Sequence, residues 1–371
     1  MRPSWPLDLV VLSHLRWNWV WQRPQHIVSR LARSRRVWFV EEPVAAGVPT
    51  PRLRLEDHGD VTRVWLEVPG DALHLYFDDP AAAEYPEQLA ALLGGSDDRA
   101  VWLYTPMALG MATGLQPSLL VYDVMDDLAS FRGSPPELRL RHQQALRHAD
   151  VVFSGGRSLH RSVLQHRPHG THLFPSGVEV EHFAGCRARR PPGATPVAGY
   201  VGVIDERIDL ALVGQLAAAL PEWEIRMVGP VVKLEDVPLP QAPNLVYPGP
   251  QPYSALPEVM GGFDVALMPF ALNQATRSIS PTKTLEYLAA GLPVVSTRVP
   301  DVVADHHAVV ELADDAAGFA AACRHARRSG GSPLRAAAID ALLRRQHWDA
   351  IAGQMDAHME AALTRGREES A

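Results

Sequence analysis

The chain has 371 residues, 47% of them hydrophobic and 21% charged, which is the composition of an ordinary soluble globular protein long enough for two domains. No run of eighteen apolar residues occurs, so no spanning helix is expected, and a formal net charge of −7 argues against a dedicated nucleic-acid binder. Two cysteines, Cys186 and Cys323, are too few and too far apart for a disulfide framework or a zinc site, and the reduced cytoplasm is the expected setting.

The N-terminal MRPSWPLDLVVLSHLRW has too short an apolar core for a secretion signal and leads directly into a strand at Leu7–Leu12. Trp17, Trp19 and Trp21 then alternate with polar residues, with Arg16, Arg23, Arg33, Arg35 and Arg36 close by. Trp beside Arg suits a membrane interface, where an amphipathic ring meets phosphate headgroups; the competing reading is one half-buried loop face. A helix is predicted at Gln25–Ala32 and a strand at Val37–Val40. The Pro, Arg and acidic content of Val48–Gly70 suggests a loop-rich excursion or a hairpin ending in Val64–Val68. Strands follow at Val101–Tyr104, Leu119–Tyr122 and Val151–Ser154, with a helix at Pro136–His148. Such alternation implies a parallel sheet covered on both faces.

The segment Arg187–Pro196 (RARRPPGATP) is the strongest linker signal. A second series begins after it, with strands at Val197–Val201, Glu224–Val228, Leu245–Tyr247, Val265–Met268 and Val294–Ser296. Helices at Asp209–Leu220, Ser254–Met260 and Pro281–Ala290 separate them, and Trp348–Leu363 forms an amphipathic helix that could pack back across the first domain. The expected fold is therefore α/β, with two Rossmann-like, doubly wound domains facing a cleft. Residues 1–186 would form the first domain, 187–347 the second, and 348–371 a C-terminal helix and tail.

The most informative stretch is SISPTKTLEYLAAGLPVVST, Ser278–Thr297. Ser280 suits an N-cap, Pro281 the first helical position and Gly291 the left-handed stop. The free N–H groups and dipole of such a helix start favour an anion, and the Ser280 and Thr282 hydroxyls and the Lys283 ammonium lie at the same end. Glu286 follows one turn on, where it could accept hydrogen bonds from sugar hydroxyls. Diphosphate cradle and hydroxyl clamp together are what a nucleotide-sugar site needs, although a well-capped helix alone would read similarly. Of 35 basic residues 33 are arginine; the remaining two, Lys233 and Lys283, both sit in candidate phosphate loops.

In open α/β sheets, ligands bind outside the carboxyl ends of the strands. His14, Asp123 to Asp127, Gly155-Gly156, Asp205, Arg207, Lys233 and the run from Pro269 to Lys283 all follow predicted strands there. No metal site is expected: His160, His166, His169 and His172 cluster in sequence, but Pro168 and Gly170 break them into a loop, and neither HExxH nor Cys-His spacing occurs.

With these residues in view, the chain resembles the GT-B glycosyltransferases, and within them the family-4-like enzymes of bacterial surface-polysaccharide synthesis. The resemblance runs through GYVGVIDERID, MVGPVVK and FDVALMPFALNQATRSISPTKTLEYLAAGLPVVST. It continues more weakly through WQRPQHIVSRLA, VYDVMDDLASF and FPSGVEVEHF. It implies that the second domain holds a nucleoside diphosphate-sugar and the first an acceptor, with the helix at Pro281 taking the diphosphate. Glu286 matches the second Glu of the family's Glu-x7-Glu motif, which binds ribose hydroxyls. Ser278 stands where the first Glu belongs, Ser176 where Asn belongs, and Val203 where Arg is usual, leaving Arg207 as the nearby cation. The outcome at the anomeric carbon stays open.

On that reading, Lys283, Arg207 and Lys233 neutralise the leaving diphosphate together with the helix start, and neither metal nor other cofactor is required. Carboxylates crowded in YDVMDD repel, which suits one of them to proton transfer; Asp126 is the candidate base, with Asp123 nearer the strand and Asp127 available as a cap. His14, Arg23 and Gln25 are the candidate acceptor contacts. The expected partners are a nucleotide-sugar donor, a glycan or lipid-linked acceptor and an anionic membrane surface on the inner face, with no nucleic acid. A catalytically degenerate nucleotide-sugar-binding protein and a sugar-nucleotide epimerase are the alternatives. A nicotinamide dehydrogenase is disfavoured because no Gly-x-Gly-x-x-Gly follows an early strand.

Overall fold

The structure is a computed structural model that describes residues 5–94, 99–131, 133–185, 194–232, 237–328 and 333–369. The chain divides into two compact units. Met1–Gly155, Leu159–Phe174 and Asp349–Ala371 form one; Gly156–Ser158 and Pro175–Trp348 form the other. The division falls at Phe174/Pro175, twelve residues before the boundary expected at 186/187. The FPSGVEVEHF segment therefore belongs to the second unit, where the Val178 N–H donates to the Gln346 carbonyl and Val178 and Phe183 enter the core. The expected linker lies largely outside the described residues.

The first unit is built on a nine-stranded sheet among the described residues. From one edge its strands run Val44–Ala46, Val61–Pro69, Val37–Glu41, Asp8–Ser13, Arg99–Leu103, Leu119–Val124, Val151–Ser154 and Thr171–Leu173, all parallel. Asp8–Ser13 and Arg99–Leu103 are neighbours although far apart in sequence, so the strand order reverses between them. Arg52–His58 lies antiparallel to Val61–Pro69. The loop-rich excursion is thus a hairpin, closed at Gly59 with φ 67°, a conformation that favours glycine. Central strands are buried almost throughout, as strands covered on both faces should be.

The Trp348–Glu369 helix places Ile351, Met355 and Met359 in buried positions. From Asp349 onward it belongs to the first unit. Asp349 pairs with Arg30 and Arg33, and Asp356 pairs with Arg35. His358 stacks on His172 with centroids 3.7 Å apart.

The second unit carries six parallel strands in the order Leu245–Gly249, Glu224–Val228, Val197–Val201, Val265–Met268, Val294–Ser296 and Glu311–Leu312. The order again reverses, between Val197–Val201 and Val265–Met268, which makes their carboxyl ends the place for a ligand. Backbone packs unusually tightly there. A Cβ on Gly229 would meet the Gly202 carbonyl oxygen at 1.8 Å, and one on Gly199 would meet the Phe263 ring at 2.3 Å. Only hydrogen fits at either position.

Candidate functional site

Three loops converge at the carboxyl end of the second unit's sheet. The loop after Val197–Val201 pairs with its neighbours through Ile204 with Val231 and Ile208 with Phe270. The Ala271 N–H donates to the Arg207 carbonyl, and the Asn273 side chain donates to the Glu206 carbonyl. Thr276, 1% exposed, ties the long loop after Val265–Met268 to itself through Ala271 and Asn273. A site on these loops is therefore held by backbone and buried hydroxyls before any ligand arrives.

That long loop delivers the chain into the Thr282–Ala289 helix. Its cap differs from expectation: Pro281, with φ −68° and ψ 114°, holds the N-cap position, and no side chain caps the helix. Ser280 therefore lies one residue outside. Its carbonyl accepts from the Ser176 hydroxyl at 3.3 Å, and Ser176 accepts from the Thr282 hydroxyl at 3.2 Å. Gly291, at φ 72°, ends the helix as the sequence predicts. Tyr287 fixes the helix to the first strand, since its hydroxyl accepts from the Val201 N–H at 2.7 Å and donates to the Val201 carbonyl at 3.2 Å. Burial holds that phenol neutral, well above its ordinary pKa.

Lys283 and Glu286 meet at 2.6 Å across one turn, with Glu286 only 3% exposed and Lys283 reaching outward from the first turn. The expected hydroxyl clamp and the expected phosphate cation thus occupy one spot, paired with each other. Arg207 is likewise engaged: Asp205, 8% exposed, receives its Nε and Nη2 at 2.7–3.1 Å and its backbone N–H at 3.0 Å. That fork fixes the guanidinium beside the strand end. Lys233 lies outside the described residues.

Sequence reasoning missed Ser176 as a partner of the donor helix because its loop sits some hundred residues away in the chain. It also missed the role of Gly156, where a methyl group would meet Ser280 Cβ at 2.9 Å and an Asp301 oxygen at 2.6 Å. Buried Asp301 in turn accepts from the Ser158 hydroxyl and N–H. The Gly-Gly pair after Val151–Ser154 was the available signal.

In the first unit the acceptor assignments change. Arg23, 4% exposed, gives a two-pronged bond to Asp123 at 2.9 and 3.1 Å and a third to the Phe174 carbonyl. Gln25 is fully buried; its side chain accepts from the Gln22 N–H and donates to the Trp17 and Val20 carbonyls. Both hold the Arg23–Leu31 helix and the loop before it, so neither faces an acceptor. Arg23 thus pairs one of the three carboxylates that the sequence crowds into YDVMDD. Asp127 is exposed, and its carboxylate accepts from the Ser130 hydroxyl in the following turn. His14 and Asp126 are half-buried at strand ends.

The three tryptophans also divide. Trp17 is buried edge-on against Phe39, Trp21 donates to His26, and Trp19 is 50% exposed. Arg16 and Arg35 pair with Glu41 and Asp356. The segment is mainly a loop face packed onto its own unit. Of the clustered histidines, His160 bonds the Ser154 hydroxyl at 2.8 Å and His172 stacks on His358. Among the described residues no group of three or more His, Cys, Asp or Glu side chains could hold a metal ion.

Residues 195–328, which contain Arg207, Lys283 and Glu286, match the family described as Glycosyl transferases group 1. The Bacillus subtilis (strain 168) protein TuaH, named for a glycosyltransferase role in teichuronic acid biosynthesis, is 28% identical over 166 residues, a match covering 42% of each chain. Among solved structures, Anabaena HepE in complex with UDP and glucose aligns at TM-score 0.67 and 13% identity, covering 96% of this chain and all of that one. Sucrose-phosphate synthase from Thermosynechococcus elongatus aligns at TM-score 0.66 and 16% identity over 98% of this chain and all of its own. The alpha,alpha-trehalose-phosphate synthase of Burkholderia xenovorans, in complex with glucose-6-phosphate, aligns at TM-score 0.67 and 13% identity over 95% of this chain and all of its own. The chain therefore has the GT-B fold of these structures, and its residues 195–328 match the model of the group 1 glycosyl transferases.

Proposed function

We propose that the protein transfers a sugar from a UDP-sugar to an acceptor hydroxyl in the synthesis of a surface polysaccharide. The observation that carries this reading is the placement of Arg207, on the loop after Val197–Val201, and of Thr282, Lys283 and Glu286, on the Thr282–Ala289 helix, at the carboxyl end of the second unit's sheet, inside the matched segment. The UDP bound in the HepE structure and the polysaccharide role named for TuaH support a UDP-sugar donor and a polysaccharide product.

On this reading the pyrophosphate lies against the first turn of the Thr282–Ala289 helix. Lys283 leaves Glu286 for a phosphate oxygen, which frees the Glu286 carboxylate to accept from ribose hydroxyls. As the bond from the anomeric carbon to the diphosphate breaks, Lys283, Arg207 and the helix N–H groups take up the growing negative charge. These groups supply the neutralisation without a divalent ion, so turnover should persist in excess EDTA. Sugar-nucleotide epimerisation is not favoured, because it needs acid and base groups on both faces of the sugar.

On this reading His14 contacts the acceptor and Asp126 takes its proton. The acceptor is a glycan or a lipid-linked glycan, met at the inner face of the membrane; exposed Trp19 is the ring available to an anionic surface. Flotation with anionic vesicles at low salt tests that contact: Trp19→Ala should reduce binding, and wild type that stays with the soluble fraction removes it.

The test of the main reading is UDP release from a panel of UDP-sugars, followed with wild type and Lys283→Ala. Loss of a charge-assisted bond to phosphate should weaken UDP by about 1.5–3 kcal/mol, tenfold or more. No UDP binding to wild type would contradict the reading.

A further inference from the structure

The Arg52–His58 strand ends the first unit's sheet on one side. It pairs with Val61–Pro69, and among the described residues no strand lies along its outer edge. Its seven residues, RLRLEDH, are all exposed or half-buried. The two-residue turn at Gly59 and Asp60 makes His58 and Val61 the closing pair, which exchanges both backbone hydrogen bonds. Counting back by twos, Glu56, Arg54 and Arg52 direct their backbone groups at Val61–Pro69. Leu53, Leu55 and Asp57 therefore point theirs outward. Such an edge is a template for another strand.

Charge decides which strand fits. Arg52, Arg54, Glu56 and His58 share one face, and Leu53, Leu55 and Asp57 the other. Leu53 packs on the core of its own unit, whereas Leu55 is 48% exposed. Basic residues precede Leu55 and acidic ones follow it, so the strand is complementary to its own reverse. A second copy running antiparallel, with Leu55 opposite Leu55, sets Arg54 opposite the partner's Glu56 twice over. All three outward residues then meet outward residues, Leu55 with Leu55 and Leu53 with Asp57. Sliding the pairing by two residues either way sets Arg54 against Arg54 or Glu56 against Glu56, and like charges directly opposite are destabilising. Sliding it by one puts donors and acceptors out of phase.

We propose that the protein pairs with a second copy of itself through Arg52–His58, antiparallel and centred on Leu55, which joins two nine-stranded sheets into one. Each Leu55 N–H donates to the partner's Leu55 carbonyl, and Leu53 and Asp57 exchange both bonds across the interface. The contact is isologous and closes on itself, so it ends at a dimer. It holds whatever the protein's donor and acceptor are.

The charges at the centre have capacity to spare. Arg54 holds Glu67 through Nε at 2.9 Å and is 37% exposed. Glu56 takes Arg63 at 2.8 Å and Asn18 at 3.3 Å, lies 3.4 Å from His58, and is still 43% exposed. A guanidinium carries five donors and a carboxylate about four acceptor positions, so each can take a partner across the interface. The hairpin behind them is already fixed: Arg63 also binds Glu41 and lies 4.2 Å over the Trp65 ring, and the Thr62 hydroxyl donates to Asp57. Little ordering is therefore left for association. One strand edge lies at the small end of interface sizes, so the dimer dissociates in the micromolar range.

The experiment is sedimentation velocity of the full chain at rising concentrations up to about 100 µM. Wild type should shift from monomer towards dimer. Leu55→Pro removes an outward N–H while sparing the bonds to Val61–Pro69, and should weaken association tenfold or more with an unchanged circular dichroism spectrum. Wild type that stays monomeric, or a dimer of unaltered strength in folded Leu55→Pro, overturns the proposal. Register is read separately by disulfide cross-linking in chains that also carry Cys186→Ser. Leu55→Cys meets its own copy at about 5.5 Å between Cα atoms and should oxidise to a covalent dimer. Asp57→Cys, exposed on the same face, lies opposite Leu53 and should not. Cross-linking of both alike, or of neither, overturns the proposal whether or not Leu55→Pro folds.

Discussion

Arg23–Asp123 and Glu42 are two extremes of buried charge in this protein, one matched at several atoms and one without a hydrogen-bond donor among the described residues, and substitution should separate them. Arg23 and Asp123 form the matched kind, so Arg23→Ala strands a buried carboxylate. We expect a loss of about 3–5 kcal/mol in denaturant unfolding, with UDP affinity unchanged by calorimetry; a loss of affinity at full stability would return Arg23 to the binding machinery. Glu42 is the bare kind. Its carboxyl binds a proton more tightly folded than unfolded, so the folded state carries more protons between about pH 4.5 and 8 and loses stability as pH rises through that window. Glu42→Gln should remove that slope, gaining a few kcal/mol at pH 8 and almost nothing at pH 4. Equal gains at both pH values would contradict the assigned cause. Such residues also mark what sequence alone leaves hidden. Arg23 beside a helix start reads equally as ligand contact or strut, and only its partner Asp123, one hundred residues away, decides between them.

At the scale of elements, strands were the most legible feature. Val151–Ser154, Val197–Val201, Val265–Met268 and Val294–Ser296 follow their apolar runs, because a strand covered on both faces needs apolar residues nearly throughout, whereas Glu224–Val228 alternates, with Glu224 and Arg226 half-buried. Short amphipathic helices such as Arg157–Leu164, and three-residue edge strands such as Thr171–Leu173, gave too few periods to read. The donor helix was legible in its stop at Gly291 and in its Lys283–Glu286 face, but its start moved by one residue because Pro281 keeps an extended ψ. What no local pattern could show is the hydrogen bonding of its loop to Ser176; for the close approach at Gly156 the Gly155-Gly156 pair was the signal. Close backbone approach also governs Gly229, where Gly229→Ala places a methyl group against the Gly202 carbonyl in a backbone conformation alanine rarely adopts. A cost of about 3–5 kcal/mol is expected, with weaker UDP binding because the first loop shifts; a thermally unperturbed variant would show that the loops are not so tightly coupled.

At the scale of the whole molecule, two units with separate cores were legible from two series of βα alternation. Their boundary was not, since the junction follows contacts of Val178 and Phe183 rather than the Pro-rich run. The return of Asp349–Ala371 to the first unit adds buried Ile351, Met355, Met359 and Leu363 to it. A chain ending at Trp348 should therefore show a lower melting point for the first unit in scanning calorimetry. Fully burying each such side chain contributes about 1.5–3 kcal/mol before ordering costs. An unchanged transition would mean the helix is dispensable to that core.

The account depends most on the pairing of Lys283 and Glu286 as a nucleotide site, and calorimetric titration of UDP into wild type, Lys283→Ala and Glu286→Ala tests it most directly. Saturable one-to-one binding in wild type, weakened tenfold or more by each substitution, is the predicted result. Binding that ignores both substitutions, or none in wild type, would contradict the assignment of the Thr282–Ala289 helix as the donor site.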